Sequence, residues 1–70
     1  MNIINEQERL KKGLRILEMI KQETEKKHLH ESTLETAEYN NFRNLVYKCE
    51  RNIEICDMVL IRLNERYGKL

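Results

Sequence analysis

Apolar residues recur through the second half of the chain at alternating intervals of three and four. Tyr39, Val46, Ile53, Leu60 and Tyr67 take the first core position of successive heptads, and Phe42, Cys49, Cys56, Leu63 and Leu70 take the second. That spacing lines all of them along one stripe of a single long helix. A helix carrying such a stripe is not stable alone in water and must bury it against other helices.

The first half has a shorter apolar pattern, Leu10, Leu14, Leu17 and Ile20, joined by Gly13, Ile16 and Thr24. It predicts a helix over about 5–28, with Asn5 as N-cap, Glu8 three residues on, Glu6 near the positive end of the dipole and Lys26 and Lys27 near the negative end. His28-Leu29-His30-Glu31 is then the connection, and Ser32-Thr33-Leu34-Glu35 reads as a capping box that opens a longer helix over about 33–67. Glu35 and Glu38 follow its start, Arg62, Arg66 and Lys69 lie in its last turns, and Gly68 terminates it.

A short loop between two helices makes an antiparallel hairpin, so the expected fold is all-α, with residues 1–70 as one domain. A turn near residue 30 places Leu17 close to Leu45 and Val46, and Ile20 close to Phe42. It also places Gly13 close to Cys49, where the missing side chain lets the helices approach. In this register the second helix outruns the first by about three turns. The overhang holds the run Met58-Val59-Leu60-Ile61 as well as Leu63 and Tyr67, too much apolar surface to leave in water.

This pattern predicts that the hairpin assembles into a dimeric helical bundle or coiled coil. Ile53, Cys56, Val59, Leu60, Ile61, Leu63 and Tyr67 are the expected self-association residues. The expected contact is antiparallel, between two copies of the second helix, about an axis midway between Cys49 and Cys56. On the opposite side of that helix, Tyr47, Arg51, Ile55, Met58 and Arg62 follow helical spacing, and their residue types suit a contact with another protein.

Composition narrows the chemistry. The chain has 70 residues, 13 basic and 12 acidic, for a net charge of +1. That balance argues against a polyanion as the main partner, and equally against mimicry of nucleic acid. Ala37 is the single alanine, proline is absent, and Asn, Ile, Lys and Glu are plentiful. Ala, Gly and Pro share GC-rich codons, so the bias points to an AT-rich genome, that of a low-GC bacterium or its phage. No apolar run is long enough to span a membrane, and the start MNIINEQERLKK is polar, which predicts a cytoplasmic protein without a membrane partner. Cys49 and Cys56 stand about 10 Å apart along one helix, too far to pair with each other. They read as small core residues.

Catalytic groups are missing. Ser32 is the single serine and sits at a cap, Asp57 is the single aspartate, no histidine neighbours either cysteine, and no glycine loop could cradle a phosphate. Glu25-Lys26-Lys27-His28 has the Glu-x-x-His spacing of di-iron bundles, and His28 and His30 form a His-x-His. A site at a frayed helix end would open to water, so no metal or cofactor is expected. Lys11, Lys12, Arg15, Lys26 and Lys27 are interleaved with Glu8, Glu18, Glu23 and Glu25, the pattern of a solvated helix face rather than of a nucleic-acid reader.

The sequence therefore predicts a non-enzymatic interaction protein that self-associates and binds a larger protein to regulate or inhibit it. In a phage or mobile element, the target could be a host defence protein. A purely structural coiled-coil module and a small nucleic-acid-associated protein are the alternatives.

Overall fold

A computed structural model describes residues 3–70, and the surroundings of side chains from residue 5 onward. The beginning of the polar start discussed above lies outside the described residues. Two helices, α1 (Ile3–Tyr39) and α2 (Arg43–Gly68), pack against each other as an antiparallel hairpin. Its dimensions are 59 × 14 × 11 Å, those of a rod of two helices side by side.

The helical hairpin matches the expectation, but its boundaries do not. α1 runs straight through the segment expected to be the connection, and the turn is Asn40–Phe42. Asn5 lies inside α1 rather than at its N-cap. His28-Leu29-His30-Glu31 contains no glycine or proline to break a helix, so helix continues through it. Ser32 is likewise internal. Around it the hydroxyls turn back on their own helix: Thr33 Oγ1 donates to the Leu29 carbonyl at 3.0 Å and Thr36 Oγ1 to the Ser32 carbonyl at 3.3 Å.

The real stop signal is Asn40-Asn41. Asn41 takes a left-handed backbone, φ 58°, which asparagine tolerates better than most residues. Its N–H donates to the Glu38 carbonyl at 3.2 Å, and the next N–H, of Phe42, reaches back to the Ala37 carbonyl at 2.9 Å. This is a Schellman arrangement, in which the last carbonyls of a helix are satisfied by the residues that leave it. α2 then starts at Arg43, and Val46 N–H donates to the Phe42 carbonyl at 2.9 Å.

Moving the turn by about three helical turns changes the register. Gly13 lies beside Tyr67 and Leu70 rather than Cys49, and Lys27 lies opposite Asp57. α2 therefore has no overhang. Met58–Ile61 runs alongside α1, and it is the first turns of α1 that extend past the end of α2.

The apolar stripe of α2 is consumed inside the hairpin at its second heptad positions. Cys49, Cys56 and Leu63 are buried, while Val46, Ile53 and Leu60 are half-buried. Tyr39 and Phe42 fall at the turn and are exposed, so they do not extend the stripe. On α1 the facing row is Gly13, Ile16, Ile20, Glu23, Lys27, His30, Leu34 and Ala37, again at intervals of three and four. Its ends are apolar and its middle is polar. The two cysteines are small, which leaves room beside them for the long stems of Glu23 and Lys27. Besides the three buried residues of α2, the buried hydrophobic side chains among the described residues are Ile16 and Ala37, so this core is thin.

Candidate interaction surfaces

The polar middle of the hairpin is where its charges meet. Lys27 Nζ lies 2.7 Å from Asp57 Oδ1, an ion pair that bridges α1 and α2. The hydrogen bond to Asp57, reinforced by its negative charge, holds the Lys27 ammonium above its ordinary pKa. Cys56 is pushed up as well, first by burial, then by its hydrogen bond to Glu23 and by that negative charge. Its thiol stays protonated at neutral pH, the inert state of a core cysteine.

The residues with metal-ligand spacing are dispersed. Glu25 is exposed, and His28 Nδ1 faces Glu31 Oε1 of its own helix at 3.3 Å. Among the described residues no three His, Cys, Asp or Glu side chains gather where they could hold a metal ion. Among the same residues no helix is long and apolar enough to cross a membrane.

The residues expected at a self-association interface do not form one surface. Cys56 and Leu63 are enclosed by α1, Ile53, Val59 and Leu60 are half-buried at the edges of the seam, and Ile61 and Tyr67 are exposed. Cys49 is enclosed too, so an axis between the two cysteines would lie inside one hairpin. The residues expected to meet another protein do stay together. Tyr47, Arg51, Ile55, Met58 and Arg62 are all exposed, and helical spacing sets them on the side of α2 opposite Cys49 and Cys56. Met58 keeps 56 % of its surface in water and Ile55 48 %.

With the turn at Asn40–Phe42, a third surface forms. Leu10, Leu14 and Leu17 were expected to face inward, yet Leu10 and Leu14 are each 67 % exposed. The inward row of a helix as long as α1 is set by all its turns, and continuity with Ala37 keeps Gly13, Ile16 and Ile20 of the expected apolar side in that row. The three leucines are left on the flank. With Arg9, Gly13, Tyr67 and Leu70 they line an open apolar groove of about 350 Å³ where α1 begins and α2 ends. The 3-4 spacing from Gly13 to Ala37, read through its polar middle, is the signal that would have revealed this.

Comparison of the chain with protein-family models, with curated proteins and with solved structures finds no match to any of them.

Proposed function

We propose that the chain is a non-enzymatic interaction protein that self-associates through the apolar groove of Leu10, Leu14, Leu17 and Tyr67, and uses the outer ridge of α2 to bind a larger protein and regulate or inhibit it. The observation that carries this reading is the amount of surface one chain leaves in water. A single hairpin exposes 6176 Å². A compact monomer of its 8.5 kDa mass would expose about 4,700 Å². The difference, about 1,500 Å² per chain, is the amount an obligate dimer interface removes from each partner. The exposed leucines are where apolar surface is concentrated on α1.

The test is solution mass by size-exclusion chromatography with light scattering over a range of concentrations. A dimer is expected, and Leu14→Asp should convert it to a helical monomer by burying an unpaired charge at the contact. A wild-type monomer throughout would overturn the self-association part. For the partner part, affinity capture from a low-GC bacterial lysate is expected to recover one protein with the wild type. The same protein should be lost with Ile55→Asp/Met58→Asp. Recovery that is indifferent to that double substitution would overturn it.

A further inference from the structure

The near-zero net charge of the chain conceals a strong asymmetry along the rod. Residues 5–21 and 60–70, which form the end where α1 begins and α2 finishes, hold eight basic and four acidic residues. Residues 22–59 hold five basic and eight acidic ones. In the linear sequence the two basic segments are far apart and their charges are interleaved with glutamates. The hairpin brings them together.

At this basic end a second groove, about 490 Å³, lies on the side of α1 away from the leucines. Lys12 and Arg15 of α1 and Arg66 and Lys69 of α2 converge on it, over Ile16 and Met19. No acidic side chain lines it. None of these four cations takes part in the ion pairs found among the described residues, which involve Lys26, Lys27 and His28. Ile16 is buried as the floor, while Met19 is 46 % exposed.

We infer that this groove binds an acidic protein segment that also carries apolar side chains. The inference rests on the reading of the chain as an interaction protein, and it adds a second contact with its own chemistry. Four like charges around one concavity that no acidic side chain lines raise the local concentration of anionic ligands. The floor selects among them. Arg and Met are enriched where proteins meet proteins. A channel for single-stranded nucleic acid would instead offer aromatic faces for bases to stack on, and this groove has none. A segment with alternating carboxylates and apolar residues would satisfy both the rim and the floor.

The probe is a fluorescently labelled synthetic peptide of alternating glutamate and leucine, followed by anisotropy at protein concentrations where the oligomeric state is constant. Controls are the same peptide with serine in place of leucine, and a single-stranded oligodeoxynucleotide. The Glu/Leu peptide is expected to bind with an affinity that falls as salt rises. Arg15→Glu/Arg66→Glu should weaken it by about tenfold or more, since both charges reverse at the contact. Met19→Ser should weaken the Glu/Leu peptide and leave the Glu/Ser peptide unaffected. All substituted positions are exposed, so helicity by circular dichroism should be unchanged. Should the double reversal lose helix, the gentler Lys12→Gln/Lys69→Gln variant is expected to show the same loss of binding on a smaller scale. Equal binding of both peptides, tighter binding of the oligonucleotide, indifference to the charge variants, or no binding at all would each overturn the proposal. Light scattering and the Met58-dependent capture are read separately, so failure of this groove is distinguishable from failure of the interaction reading.

Discussion

Gly13 and Leu70 meet where α1 passes the end of α2, with Leu70 Cδ1 3.5 Å from where a Cβ on Gly13 would stand; Tyr67 Cε2 is at 3.7 Å. Both are ordinary van der Waals distances, so the helices do not need a glycine here. Glycine inside a helix costs about 1 kcal/mol relative to alanine. Gly13→Ala is therefore expected to stabilise the hairpin by about 0.5–1 kcal/mol, through a stiffer unfolded chain and a new contact with Leu70. A thermal melt should show the midpoint rise by several degrees. A fall would mean that the helices are closer here than these distances allow.

The turn offers a paired prediction that locates the end of α1 experimentally. Ser32 lies mid-helix, so Ser32→Ala should change stability by no more than about 0.5 kcal/mol, because alanine has the better helix propensity and no cap is lost. If Ser32 were an N-cap, the same change would cost about 1 kcal/mol. Asn41, with φ 58°, should respond in the opposite sense. Asn41→Gly is expected to be neutral or mildly stabilising, and Asn41→Val to cost about 1–2 kcal/mol from the left-handed backbone alone. Chemical denaturation of the three variants checks this directly.

These positions also explain how much of the molecule could be read from its sequence. α2 was legible because its core positions from Val46 to Leu63 are all apolar, and its outward ridge followed by simple periodicity. The first part of α1 was legible as helix, but its full length and its inward row were not, because Glu23, Lys27 and His30 interrupt that row with polar groups that look like surface. Ser32 and Glu35 then imitate a helix start. A local capping pattern and a tertiary register competed, and packing of α1 along the whole of α2 won. The asparagine pair at the true stop was visible but weaker than glycine would have been. The flank of Leu10, Leu14 and Leu17 and the basic groove both depend on the register, so neither could be seen before the turn was placed.

Lys27 and Asp57 should act as a pin for that register. Lys27→Asp sets two carboxylates against each other between the helices, and Asp57→Lys sets two ammonium groups there. Each single change should lower the melting midpoint. The double exchange Lys27→Asp/Asp57→Lys should recover most of the loss, because the pair is restored in reverse. A double variant no better than the worse single one would show that the two side chains do not interact in solution.

The same seam sets the alkaline behaviour. Cys56 and Lys27 both hold their protons more tightly in the folded chain than in the unfolded one. Across the titration of each group the native state therefore binds more protons, and stability falls as pH rises. The contribution of Cys56 is fully present below the ordinary thiol pKa, near pH 9, and is lost as pH climbs from there toward its folded value. The contribution of Lys27 is present below the ordinary lysine pKa and is lost at still higher pH. The melting midpoint should accordingly be flat through neutrality and decline above about pH 9. In Cys56→Ala the midpoint at neutral pH should be lower, from the lost packing, but the first part of the alkaline decline should disappear. An unchanged decline in that variant would mean that the Cys56 thiol ionises as freely in the hairpin as in the unfolded chain, and that Glu23 does not face it.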